Sequence, residues 1–211
     1  MKYIFFDFDG TIADTEKVIL SCFHHALISL GYKDRTNEEI ATTIGLPLKE
    51  EFIQLANCDS AQADLLVQEF RKKYFVLAFQ ELKTYPGMVE LIHYLSEKGY
   101  VLGILSSKLH HLIDKMMKTL SLDSFFSIYV GEDDIERKKP YPDMALLAME
   151  KLGASKEECI MIGDSQFDIE MAKNANIKVI YCTYGYGNRE KCLALQPEYV
   201  VNEAKEIQNI L

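Results

Sequence analysis

Residues 3–15 read YIFFDFDGTIADT. Tyr3-Ile4-Phe5-Phe6 is a short, wholly apolar run, as expected for a central parallel strand buried on both faces. It ends in two carboxylates, Asp7 and Asp9, followed at once by Gly10 and Thr11. Glycine permits a tight turn there and lets backbone N–H groups approach an anion closely. A core strand that finishes in acids and a glycine turn points to a site at the strand's end.

The rest of the chain must supply that strand's partners. Residues 15–83 read as helical throughout. Val18, Ile19, Cys22, Phe23, Ala26, Leu27 and Leu30 recur at three- and four-residue steps, and Gly31 can end that helix. A second helix is expected near 37–43. Gly45-Leu46-Pro47 breaks the pattern, residues 48–56 resume it, and Ser60 can cap a long helix towards Gln80. The aromatics Phe52, Phe70, Tyr74, Phe75 and Phe79 fall at helical spacing and read as the core of this lobe, with one or two free to face a substrate.

After Tyr85-Pro86-Gly87 the rhythm alternates: helix 88–98, strand 101–105, helix 109–120, strand 127–130, a helix from Pro142 to Lys151, strand 159–162, a helix to Ala175, strand 179–182, strand 199–201 and a terminal helix. Such alternation predicts an α/β fold, a Rossmann-like parallel sheet with helices on both faces. The core is residues 1–14 and 84–211, and an all-helical cap is inserted at 15–83. The two crossings, near Asp14-Thr15 and Lys83-Thr84, can act as a hinge.

The chain has 211 residues and a net charge of −9. That charge argues against a nucleic-acid surface. No apolar stretch reaches the ~18 residues of a membrane span, and the first strand runs straight into aspartates, unlike a signal peptide. The five cysteines show no C-x-x-C spacing and read as reduced thiols. A cytoplasmic protein is expected, monomeric or weakly dimeric, acting on a small molecule.

Parallel α/β sheets place ligands beyond the carboxyl ends of their strands. Four apolar strands end in polar clusters: Asp7-Phe8-Asp9-Gly10-Thr11, Ser106-Ser107-Lys108, Gly131-Glu132-Asp133-Asp134 and Gly163-Asp164-Ser165. Acids gathered at one edge repel each other unless a hard cation lies between them, and Mg²⁺ suits one or two carboxylates plus a phosphate oxygen. An aspartate can attack phosphorus, and a second carboxyl can protonate the leaving oxygen and then activate water. Ser106 offers phosphate contacts at a helix start. Lys108 and Lys139 are both candidates to neutralise charge on the transferring group. The Glu132-Asp133-Asp134 turn reads as a solvated acidic turn, with a metal-facing role for one of its acids as the alternative, and His24, His25, His110 and His111 read as surface or partly buried residues.

These clusters resemble the four motifs of the haloacid dehalogenase-like hydrolase superfamily. Asp7-Phe8-Asp9-Gly10-Thr11 resembles D-x-D-G-T, and Leu105-Ser106-Ser107-Lys108 the second motif. Lys139-Pro140-Tyr141-Pro142 resembles K-P-x-P, and Gly163-Asp164-Ser165-Gln166-Phe167-Asp168 resembles G-D-S-x-x-D. The helical insertion resembles a C1-type cap, and Gly45-Leu46-Pro47-Leu48 a segment of the phosphoglycolate phosphatase-like subgroup.

The resemblance implies a Mg²⁺-dependent phosphatase with Asp7 as nucleophile and metal ligand. Asp9 is then the general acid/base, with its carbonyl on the metal, and Asp164 a further metal ligand. Gly10, Ser106, Ser107 and Lys139 hold the phosphate. Thr11, Lys108 and Asp168 support the site, and Lys139 takes precedence over Lys108. The aspartate at position 9 separates phosphoryl transfer from carbon–halogen cleavage. A sugar-phosphate mutase of the beta-phosphoglucomutase type, or a non-catalytic phosphate-binding module, is the alternative. The mutase would need a cap histidine where this chain has Ile19.

Overall fold

The computed structural model describes residues 1–211. Six parallel strands form one sheet in the order β3-β2-β1-β4-β5-β6. They are β1 (Tyr3–Phe6), β2 (Val101–Leu105), β3 (Phe126–Val130), β4 (Cys159–Gly163), β5 (Lys178–Cys182) and β6 (Tyr199–Val201). β1 is central. Its residues Tyr3 to Phe6 pair in register with Val101 to Ile104 on one side and with Cys159 to Ile162 on the other. Ile4, Phe5 and Phe6 have no solvent exposure, which explains why the run is apolar without alternation. Alternate residues feed the two faces: Ile4 and Phe6 join one apolar cluster, Tyr3 and Phe5 the other.

Between β1 and the rest of the sheet lie four helices, α1 (Glu16–Ser29), α2 (Asn37–Ala41), α3 (Leu48–Ala56) and α4 (Ser60–Gln80). α1 ends as its glycine suggests: Gly31 sits at φ +77° and Tyr32 N–H donates to Leu27 O at 2.9 Å, closing the last turn. Their shared core is aromatic, with ring centroids of Phe23 and Phe52, and of Phe23 and Phe70, 4.9 Å apart. Phe75 departs from the expectation, being half exposed. The two chain crossings run side by side. Ala13 bridges Thr84, Asp14 N–H donates to Lys83 O at 3.0 Å, and the Asp14 carboxylate pairs with Lys83 at 2.8 Å.

The remaining helices are α5 (Met88–Glu97), α6 (His110–Thr119), α7 (Asp143–Leu152), α8 (Gln166–Asn174) and α9 (Arg189–Ala194). Three expectations are corrected. The cap of α4 is Asp59, which accepts from Gln62 N–H at 2.9 Å while Gln62 returns the bond; Ser60 is the first helical residue. The terminal segment Ala204–Asn209 is a 3₁₀ helix. α9 was not expected, because six residues carry too little periodicity to register. All five cysteines are free thiols. No helix is long and apolar enough to cross a membrane.

Candidate active site

The strand ends bring the motif residues together. Each of Asp7, Asp164 and Asp168 places a carboxylate oxygen within 4.8 Å of the others'. Lys139 Nζ lies among them, donating to Asp7 Oδ1 at 2.7 Å and to Asp168 Oδ1 at 2.6 Å. Both candidate lysines meet the end of the first strand, Lys139 at Asp7 and Lys108 at Asp9. Burial opposes the Lys139 charge, but Asp168 and Asp7 outweigh it and raise the ammonium's pKa above the ordinary lysine range.

The acids are strained by their own company. Burial pushes Asp7 up to about 7 against the pull of Lys139, and Asp168 adds to the rise. Asp164 is raised well above the carboxylate range, first by burial and then by Asp168 and Asp7. Such a group is short of positive charge. Its donors are all oxygen, matching a hard divalent cation. The Asp9 carbonyl accepts no backbone hydrogen bond.

Each acid is fixed by its own supports. Asp164 Oδ1 accepts from Thr11 at 3.3 Å, and its Oδ2 from the N–H groups of Tyr186 and Gly187 at 3.1 and 3.3 Å. Asp168 closes the N-terminal box of α8, where its Oδ2 accepts from the Ser165 hydroxyl at 2.6 Å and from Ser165 N–H at 3.0 Å. With its other oxygen on Lys139, Asp168 acts as the lysine's anchor. The loop after β5, Thr183-Tyr184-Gly185-Tyr186-Gly187, escaped the sequence reading. Its signal was a fifth strand end carrying alternate glycines, and a Cβ on Gly185 would stand 2.2 Å from the Asp164 Cβ.

Gly10 is corrected in role. Its N–H donates to Ala13 O at 3.0 Å and is not available to an anion. What the position needs is the absence of a side chain, since φ is +78° and a Cβ would meet Asp164 Oδ2 at 2.2 Å. The N–H groups of Asp9 and Ser107, by contrast, donate to no backbone acceptor. The Ser106 hydroxyl is buried and accepts from Lys108 N–H at 3.3 Å, leaving its own proton to give. The Ser107 hydroxyl donates to Gly45 O of the helical lobe at 3.1 Å.

Asp9 faces the lobe. Its Oδ1 accepts from Thr15 at 2.6 Å, and its Oδ2 pairs with Lys108 Nζ at 2.5 Å. Lys108 also donates to the Tyr74 hydroxyl of α4 at 2.6 Å. Burial opposes this ammonium too, but Asp9 and Tyr74 raise its pKa. Glu132 is not merely solvated. It is buried, and joins Arg71 of α4 at 3.4 Å to Lys138 at 3.0 Å. One cavity of about 120 Å³ runs from Asp7, Lys139 and Asp164 to Phe70, Tyr74 and Arg71, so the lobe roofs the strand ends. Ile19 lines it and no histidine does. His24 is turned to Asp34 and Asn37, at 2.6 and 2.8 Å.

A Rossmann-like sheet with reactive groups at its strand ends, roofed by a helical lobe inserted after the first strand, is the architecture of a capped hydrolase. The profile of the haloacid dehalogenase-like hydrolase family matches residues 4–182, and the chain belongs to that family. It is a hydrolase of the phosphatase type. Similar proteins include the pyrophosphatase PpaX of Halalkalibacterium halodurans, 31% identical over 99% of this chain and 95% of that protein. The pyrophosphatase PpaX of Listeria welshimeri is also 31% identical, over 99% and 95%. A solved haloacid dehalogenase-like family hydrolase from Streptococcus pneumoniae superposes with a TM-score of 0.89 at 27% identity, covering 100% of this chain and 98% of that one.

Proposed function

We propose that the protein is a Mg²⁺-dependent phosphatase of small phosphomonoesters that works through an aspartyl-phosphate on Asp7. The observation that carries this reading is the Lys139 bridge: one buried ammonium fixes Asp7 Oδ1 and Asp168, while Asp7 Oδ2 keeps no hydrogen bond and is free to attack. Asp7 Oδ2 bonds to phosphorus as the ester's P–O bond breaks, and the leaving oxygen takes a proton from Asp9. Asp9 then removes a proton from water, whose oxygen attacks phosphorus and releases phosphate and the Asp7 carboxylate. In the resting arrangement Asp9 is held by Thr15 and Lys108, so the leaving oxygen must replace one of these contacts.

Ser106, the N–H groups of Asp9 and Ser107, and Lys139 would receive the phosphoryl oxygens. A Mg²⁺ held by Asp7, Asp164 and the Asp9 carbonyl would supply charge neutralisation at the transferring group. Asp168 and Thr11 position Lys139 and Asp164. Closure of residues 15–83 over the core would exclude water during transfer. That Ile19 stands where a mutase needs a proton-transferring histidine supports hydrolysis over isomerisation.

Turnover of p-nitrophenyl phosphate with Mg²⁺ tests the proposal. Asp7→Asn is expected to lower the rate by about a thousandfold or more with the fold intact. Retention of more than about a tenth of the rate overturns Asp7 as nucleophile.

A further inference from the structure

The cavity's leaving-group half contains one carboxyl oxygen that no group of the protein pairs. Glu51, in the first turns of α3, is 5% exposed and lines the cavity that holds Asp7 and Asp9. Its Oε1 accepts from Gly45 N–H at 3.2 Å, and its Oε2 has no hydrogen-bond partner in the protein. Burial raises this carboxyl well above the ordinary range; Asp9 and Glu132 add to the rise, and Gly45 N–H and Lys108 oppose it. A neutral carboxyl both donates and accepts.

Every cation nearby is already matched. Lys139 is held by Asp7 and Asp168, Lys108 by Asp9, and Arg71 and Lys138 by Glu132. An anionic leaving group would have to break one of these pairs. The rest of this half is walled by Ile19, Phe23, Ile44, Leu46, Leu48 and Phe70, and its other polar groups, Tyr74, Arg71 and Glu132, are already paired. Resting on the phosphatase reading, we infer that Glu51 is a specificity-determining residue that hydrogen-bonds a hydroxyl on an uncharged leaving group, so that the substrate is the phosphomonoester of a small polyol or sugar. A site with a buried polar atom rejects analogues that leave it unpaired. A second phosphate or a carboxylate is disfavoured by charge instead.

The test compares kcat/KM for glycerol 3-phosphate, a hexose 6-phosphate, pyrophosphate, phosphoglycolate and p-nitrophenyl phosphate. The wild type should favour at least one hydroxylated ester over both pyrophosphate and phosphoglycolate by about tenfold or more. Glu51→Leu should lower the ratio of hydroxylated to aryl turnover by about 10- to 100-fold, and Glu51→Gln, which keeps a donor and an acceptor, by less than about tenfold. Preference for pyrophosphate or phosphoglycolate, or a ratio that Glu51→Leu leaves unmoved, overturns the inference while aryl turnover keeps the phosphatase reading standing. Absence of aryl turnover in the wild type removes both. The wild-type ranking decides the matter even if Glu51→Leu does not fold.

Discussion

The two walls of the cavity are built by opposite means. On the sheet side, Asp7, Ser106 and Asp164 follow directly on β1, β2 and β4, held by strand register and by local N–H groups. On the lobe side, Glu51, Arg71 and Tyr74 are single residues on helices, and their partners Gly45, Glu132 and Lys108 lie in loops. The sheet wall is rigid and preorganised, as transfer chemistry requires. The lobe wall meets the core through a shared apolar cluster and through polar contacts such as Lys108 to Tyr74 and Arg71 to Glu132, which suits a surface that selects.

That contrast is open to attack from the sheet side first. Lys139→Met leaves Asp7 and Asp168 buried without their cation, so activity on p-nitrophenyl phosphate should fall by about a thousandfold or more. Removing one partner of a buried ionic group also costs about 3–5 kcal/mol, read by urea unfolding in EDTA. Stability near that of the wild type would mean the sheet wall is not electrostatically coupled.

Metal addition sharpens the same side. In metal-free protein the folded-state pKa of Asp7 rises from 3.8 to about 7, so the folded state binds more protons than the unfolded state between those values. Stability from this group therefore falls as pH rises from about 4 to about 7. Protons and Mg²⁺ compete for the same oxygens, and Mg²⁺ at about a hundred times its Kd should raise Tm by about 5–10 °C at pH 8 and by less at pH 5.5. An equal gain at both pH values would argue against binding by these acids.

On the lobe side effects should be smaller and kinetic. Tyr74→Phe removes one hydrogen bond on Lys108, worth about 1 kcal/mol, so kcat/KM should drop about three- to tenfold and Tm by about 2–4 °C at most. A loss as large as that of Lys139→Met would erase the distinction between the walls. His24→Ala lies outside the cavity and should be the mildest. Its hydrogen bonds to Asp34 and then Asn37 raise the histidine's pKa, so its contribution is present below about 6.5 and is lost as pH rises through the raised value. A destabilisation below about 1 kcal/mol, present at pH 6 and gone at pH 9, is expected from thermal melts with no change in turnover.

Legibility in the sequence follows the same division. β1, β2 and β4 were readable because unbroken apolar runs ended in acids, serines or glycine, and parallel topology then put those ends on one edge. Asp7, Ser106 and Asp164 were legible for that reason, whereas Lys139 and Asp168 end no strand and were singled out by the family resemblance. The Tyr186-Gly187 cradle for Asp164 was not, because its contribution is backbone N–H, which leaves no residue signature beyond the glycines. Glu51 and Tyr74 looked like ordinary helix residues, since helical periodicity marks a buried face without saying which of its members borders a cavity. The Lys108–Asp9 pair joins strand ends about a hundred positions apart in the chain, and only the shared sheet edge brings it together.

The central claim is best tested by a crystal structure of the protein soaked with Mg²⁺ and beryllofluoride, a mimic of a phosphoryl group on a carboxylate. The account predicts beryllium bonded to Asp7 Oδ2, its fluorines facing Ser106 and Lys139, and Mg²⁺ shared by Asp7 and Asp164. Beryllofluoride absent from Asp7, or a cation bound away from Asp164, would contradict it.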